Sequence, residues 1–188
     1  MRDMNRTLLS GWMLLLLCWS VTLKAAPDFL IHDVQLHERH DQYLLSLQID
    51  YRLSRVALEA LSNGVPLTFE LRVRVDKVWG GLWEQRPFEM TLRHQIRYHA
   101  LTGLYRVVDL ISSEKESFVT QEAALSALGE YSDIKLFAKD QLDPKADYKM
   151  RLRADLDIES LPMPLRPLAY FHRGWKLSSG WTKWPLKP

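Results

Sequence analysis

The fold is decided by residues 64–99, which read GVPLTFELRVRVDKVWGGLWEQRPFEMTLRHQIRYH. Apolar and polar side chains alternate strictly in two arms of this stretch, residues 67–75 and residues 88–98. Such alternation is typical of strands that have one face in a core and the other in water. Gly80 and Gly81 lie between the arms and supply the positive φ angles that a hairpin connection needs. The stretch therefore predicts a long antiparallel hairpin.

The same alternation extends over much of the chain. Ser54 and Thr120 are N-cap residues for two short helices, predicted over 55–62 and 121–128, whereas residues 112–116 read as a charged loop. So few short helices cannot connect the strands of a parallel sheet. We therefore expect a mainly β protein, an antiparallel and partly closed β-sandwich of about seven or eight strands. Besides the hairpin, strands are predicted over 29–36, 43–51, 104–111, 134–137 and 148–158.

The C-terminal segment, residues 161–188, is rich in proline and tryptophan. Residues 161–167 read LPMPLRP, which excludes a central strand or a helix interior. We expect an extended segment that packs on the sandwich, because Trp175 and Leu177 alternate as they would in a last strand.

The N-terminus has the pattern of a secretory signal peptide. Arg2 and Arg6 precede an apolar run from Leu8 to Leu23, and small residues follow at Ala25. The run is shorter than the roughly 20 residues that span a bilayer comfortably. We expect cleavage after Ala25, with residues 26–188 as a single domain in the periplasm, and an uncleaved inner-membrane anchor is the alternative.

Charge and cysteine content exclude several classes of protein. Cleavage after Ala25 removes three of the 25 basic side chains and one of the 23 acidic ones, so the remaining chain is formally neutral. A neutral, exported chain is disfavoured as a nucleic-acid binder. The single cysteine, Cys18, lies in the removed segment, so no disulfide or thiolate metal site is expected. We expect no cofactor.

Three groups of residues could carry chemistry. His32, His37 and His40 have the residue types of metal ligands, but their spacing matches no zinc signature, and a solvated turn has the same composition. Asp155 and Asp157 share a strand face about 7 Å apart, a spacing that suits glycoside chemistry and solvated strand charges equally. His94 lies on the apolar parity of its strand without a nucleophile motif, and so reads as a hydrogen-bonded histidine at the core edge. No catalytic or metal-binding residue is assigned.

A candidate binding surface combines strand arginines with tail tryptophans. If the strands are neighbours, the outward arginines form one sheet face that could receive an anionic ligand; the alternative is cross-strand charge pairing in water. Aromatic and basic residues of the tail could lie on a partner protein or a membrane interface, or could close the end of the sandwich. The candidate residues are Arg72, Arg74, Arg93, Arg97, Arg151, Arg153, Trp175, Trp181 and Trp184.

Several segments resemble one family of exported proteobacterial proteins, the domain-of-unknown-function 4390 family. The matching pieces are residues 60–67 (ALSNGVPL), residues 97–102 (RYHALT), the proline-rich residues 161–167, and the three tryptophans of residues 175–184. The resemblance implies export and a common fold, and it supplies no catalytic residues. Genes of such families often lie beside genes for membrane sensor kinases, which implies an accessory role at the envelope.

These observations favour a non-enzymatic binding module for another envelope protein, with the periplasmic region of a sensor kinase as a suspected partner. The alternative is a β-sandwich that binds a lipid or another small amphiphile between its sheets. The third interpretation is a hydrolase that uses a metal or a carboxylate.

Overall fold

The structure, a computed structural model, describes residues 28–79 and 83–186. The predicted signal peptide and the Gly80–Gly81 turn lie outside them. Within the described residues the chain forms nine strands and three α-helices, α1 (Arg55–Ser62), α2 (Gln121–Gly129) and α3 (Arg166–Phe171). The strands are β1 (Phe29–Arg39), β2 (Gln42–Tyr51), β3 (Leu67–Trp79), β4 (Trp83–His99), β5 (Leu104–Asp109), β6 (Lys115–Phe118), β7 (Glu130–Ala138), β8 (Asp147–Leu156) and β9 (Thr182–Leu186).

The strands form two antiparallel sheets that pack face to face, so the predicted mainly β, antiparallel sandwich is confirmed. One sheet has the order β1-β2-β7 and the other β6-β5-β4-β3-β8-β9, and they are not closed into a barrel. The predicted hairpin is β3 and β4, which pair from Leu67 opposite Ile96 to Trp79 opposite Trp83. The number of strands is nine rather than seven or eight because β6 and β9 are short edge strands.

The core lies between the sheets. The inward parity of β3, from Leu67 to Val75, is fully buried, as the alternation predicts. The ring of Phe69 links the layers: its centroid lies 4.6 Å from that of Tyr51 and 5.8 Å from that of Phe29. Burying such a side chain contributes about 1.5–3 kcal/mol, so this contact helps to hold the two sheets together.

Both predicted helix caps are present. The hydroxyl of Ser54 accepts from the backbone N–H of Ala57, and the hydroxyl of Thr120 accepts from that of Ala123. Gly64 closes α1 with a φ of 77°, which glycine adopts without strain. α2 runs directly into β7, so the strand expected over 134–137 begins already at Glu130.

Two predictions about irregular segments were wrong. The charged loop expected over 112–116 ends early, because β6 begins at Lys115 and pairs with β5. Its side chains are mostly exposed, so no apolar alternation marked it. The proline-rich segment is not extended throughout: Pro167 lies in the first turn of α3, where a missing N–H costs no helical hydrogen bond.

Candidate functional site

The outward side chains of β3, β4 and β8 form a surface that we call the charged face. The register places Arg72 opposite Arg153 and Arg74 opposite Arg151. Like charges directly opposite each other on neighbouring strands are destabilising unless other groups neutralise them. The surface comprises Glu70, Arg72, Arg74, Asp76, Arg86, Glu89, Arg93, Arg151, Arg153 and Asp155, together with Asp157 just after β8.

At one end of the charged face, carboxylates neutralise the arginines through short contacts. Asp76 is 2 % exposed and lies 3.1 Å from Nε of Arg86 and 2.5 Å from Nη2 of Arg151. The Nε of Arg74 donates to Glu89 over 2.7 Å. This hydrogen bond is the main reason that the pKa of Glu89 lies below its usual value.

At the other end, the two aspartates considered for hydrolysis are held by guanidinium groups. Asp155 accepts from Nε of Arg153 over 2.8 Å and lies 3.3 Å from Nη2 of Arg72. Asp157 accepts from Arg93, which also lies 3.0 Å from Glu70. Cross-strand charge pairing therefore describes this face, and both aspartates are engaged in ion pairs.

Trp181 lies on the charged face and covers part of it. Its ring centroid is 4.5 Å from the guanidinium carbon of Arg74, and those of Arg151 and Arg153 lie 5.8 and 5.9 Å away. Gly180 adopts a φ of 66°, and the chain turns there before it pairs with β8 as β9. The ring remains half-buried, stacked on cations in the arrangement that favours cation–π attraction.

The other members of the predicted surface lie elsewhere. Trp175 is 4 % exposed and belongs to the core with Leu177, so it is not available to a partner. Trp184 is partly buried opposite Met150. Arg97 donates to the backbone carbonyl of Gly64 at the end of α1. The structure thus brings five of the six predicted arginines together with one of the three tryptophans.

A groove of about 590 Å³ opens beside the charged face, between the ends of β3 and β8 and the segment 175–178. Arg72, Arg93, Arg153 and Lys176 line it, as do Glu70 and three further carboxylates. The groove therefore offers charges of both signs rather than a single-sign field.

The comparison with protein families gives a match over nearly all of the described residues. The model of the domain of unknown function DUF4390 covers residues 26–185. The chain belongs to the DUF4390 family. No curated protein and no solved structure matches the chain. The DUF4390 match includes the tail that carries Trp181, so the tail is part of the family domain.

The three N-terminal histidines of this DUF4390 domain do not converge. His32 lies between Asp33 at 2.8 Å and Asp50 at 3.2 Å, and these hydrogen bonds raise its pKa. His37 pairs instead with Asp133 at 2.9 Å. Within residues 28–79 and 83–186, no group of three or more His, Cys, Asp or Glu side chains is arranged to hold a metal ion.

His94 lies in a polar cleft that the sequence did not reveal. Its Nδ1 is 3.0 Å from the hydroxyl of Tyr131, as expected of a hydrogen-bonded core-edge histidine, and its Nε2 is 3.7 Å from Asp109. Burial lowers the pKa of His94, although Asp109 opposes the shift. The cleft, of about 380 Å³, is also lined by Glu114 and Glu130. Both ring nitrogens thus face protein side chains, Nδ1 the hydroxyl of Tyr131 and Nε2 the carboxylate of Asp109.

No helix in the part of the chain that the structure describes is long and apolar enough to cross a bilayer.

Proposed function

We propose that this DUF4390 domain is a non-enzymatic module of the cell envelope that binds another protein through the charged face. The observation that carries the proposal is the position of Trp181, half-buried and stacked on Arg74 with two further guanidinium groups within 6 Å. Tryptophan and arginine are the side chains that most often dominate the free energy of protein association.

The charge pattern favours a protein partner over a polyanion. The arginines of the charged face alternate with carboxylates and pair with them. A nucleic acid or a uniformly anionic ligand would meet these carboxylates and would be repelled. A protein segment can present charges of both signs in register, and charge complementarity of that kind supplies specificity.

The rigidity of the site also supports binding. Because Arg74 is fixed by Glu89 and Arg151 by Asp76, the surface beneath Trp181 is ordered before a partner arrives. Ordering side chains on binding costs about 0.5–1.5 kcal/mol for each flexible group, and a preorganised surface avoids part of this cost.

The other two interpretations have weaker support. Carboxylates line the cleft beside His94, whereas a lipid or amphiphile would require an apolar cavity. A hydrolase based on Asp155 and Asp157 would need carboxylates that are free to exchange protons, and both are bound by arginines. The envelope location rests on the signal-peptide pattern of residues 1–25, and the periplasmic region of a sensor kinase is the partner that we propose first.

In-cell crosslinking of the native envelope followed by mass spectrometry tests the proposal. We expect Trp181→Ala to weaken partner capture by about 30-fold, because a central tryptophan typically contributes about 2 kcal/mol or more. Trp181→Phe, which keeps an aromatic ring, should capture more of the partner than Trp181→Ala does. Ile111→Ala is the matched control, since Ile111 is an exposed apolar side chain on the β5–β6 loop and is not one of the residues of the charged face. Equal capture by the wild type and Trp181→Ala would overturn the proposal.

A further inference from the structure

The exposed apolar side chains concentrate at one end of the sandwich. We call it the chain-entry end, because β1 begins there; β2, β4, β6 and β8 end there, and β3 and β5 begin there. Of the nine large apolar side chains that are exposed in the described residues, six lie on connecting segments and α3 at this end, and Leu30 lies near the start of β1. The six are Leu101, Val119, Met163, Leu168, Tyr170 and Phe171.

Four of the six belong to α3 and the turn before it, and this segment is firmly held. Ala169 is fully buried against the domain, and Nε of Arg166 donates to the carbonyl of Leu161 over 2.6 Å. Leu168 and Phe171 nevertheless remain 63 % and 90 % exposed. The fold therefore presents these apolar side chains to the surroundings on an ordered element.

The segment that carries α3 is basic, although the short turn at Ile158–Ser160 that contacts α3 includes the exposed Glu159. Residues 161–188 contain five lysines and arginines and no aspartate or glutamate. Arg173 and Lys176, which follow α3, are exposed. Apolar side chains flanked by cations are the composition of helices that lie at the interface of anionic membranes.

The N-terminal segment joins the domain at this same end. The N–H of Arg52 donates to the carbonyl of Asp28, and the hydroxyl of Ser54 donates to the carbonyl of Gly174, three residues after α3. The apolar run that ends at Leu23 lies only five residues before Asp28. Five residues span at most about 17 Å, so in the chain before cleavage after Ala25, with the run in a bilayer, this end stays close to the membrane surface.

From these observations we propose that the chain-entry end, centred on α3, docks on the surface of an anionic phospholipid bilayer. Leu168 and Phe171 enter the region between headgroups and acyl chains, and Arg173 and Lys176 contact the anionic headgroups. Docking in this orientation leaves the charged face along the side of the domain, accessible to a partner protein. The docking surface does not include Trp181. The membrane-docking proposal can therefore be refuted without refuting the proposed protein-binding function, and the reverse is also true.

The test uses the full chain in phosphatidylcholine vesicles that contain about one third phosphatidylglycerol and a lipid-attached nitroxide quencher. An environment-sensitive fluorophore is attached at Tyr170→Cys in a Cys18→Ser background. The matched reporter is Asp140→Cys, at the opposite end of the sandwich. We expect several-fold stronger quenching at position 170 than at position 140, and a blue shift only at position 170.

Substitution then assigns the effect to α3. Leu168→Asp/Phe171→Asp should abolish the excess quenching at position 170, and the control Ile111→Asp should leave it unchanged. Equal quenching at positions 170 and 140 would overturn the proposal. Two other results would also overturn it. One is excess quenching that persists in the double variant, and the other is an envelope protein that shields the fluorophore at position 170 when no lipid is present.

Discussion

At Gly129, local helix preference and tertiary structure predict opposite effects of an alanine substitution on the free energy of unfolding. Gly129 is the last residue of α2, and replacing a helical glycine with alanine ordinarily stabilises a protein by about 0.5–1 kcal/mol. In this structure a Cβ added at Gly129 would lie 2.0 Å from the backbone oxygen of Ile49. Backbone atoms cannot move aside as a flexible side chain can, so β2 and β7 must separate.

The cost follows from that separation. Residues 130 and 131 begin β7 and pair with Gln48 and Leu47, immediately beside the contact. Overpacking of a buried site costs about 1–3 kcal/mol and sometimes more, so we expect Gly129→Ala to lose about 2–3 kcal/mol of unfolding free energy after the gain in helix propensity. A native domain is stable by only about 5–15 kcal/mol.

Urea denaturation measures this difference. Ser126→Ala, on the exposed side of the same helix, is the control and should be neutral or slightly stabilising. The slope of free energy against urea should be similar in all three proteins, because the surface exposed on unfolding is similar. If Gly129→Ala were as stable as the wild type or more so, the direct α2–β7 junction described above would be refuted.

Two further predictions concern the core and the polar cleft. Phe69→Ala should lower the unfolding free energy by about 3–5 kcal/mol, because the ring is fully buried between the sheets; a loss below 1 kcal/mol in urea denaturation would contradict that packing. Burial lowers the pKa of His94, so as pH falls the imidazole is protonated in the unfolded chain before it is protonated in the folded protein. The stability that the neutral side chain contributes is therefore lost as pH falls below about 6.5. The stability of the wild type relative to His94→Gln should therefore decrease from pH 8 to pH 5, and an increase would contradict the assignment. Because His32 has a raised pKa and an effect of opposite sign, the comparison cancels its contribution.

Much of the fold could be predicted because one face of each long strand is buried. The alternation in β3, β4 and β8 follows directly from that burial. Ser54 and Thr120, as N-cap residues, mark the starts of α1 and α2. β6 could not be predicted, because this four-residue edge strand buries almost nothing and its sequence, KESF, resembles a loop. β7 is obscured by Asp133, whose φ of 51° accompanies a register shift that breaks the alternation.

The candidate sites depend on facts that no local pattern contains. The arginines could be assigned to outward faces, but their pairing required the knowledge that β8, rather than another strand, lies next to β3. Trp181 could be placed on that face only once the turn at Gly180 was known. The cleft at His94 needs the register of β5 on β4 and the packing of β7 across the sheets. α3 was missed because prolines favour extended chain unless they fall in the first turn of a helix.

Site-specific photocrosslinking in living cells tests the protein-binding role of the charged face most directly. The crosslinking amino acid replaces Lys183, which lies on β9 opposite Arg151 and beside Trp181, and in separate cells replaces Ile111 or Asp140. A reproducible protein adduct from position 183 that disappears when Trp181→Ala is added, with no such adduct from positions 111 and 140, is the predicted result. The absence of a protein adduct at position 183, or equal adducts at all three positions, would contradict the role of the charged face in binding a partner.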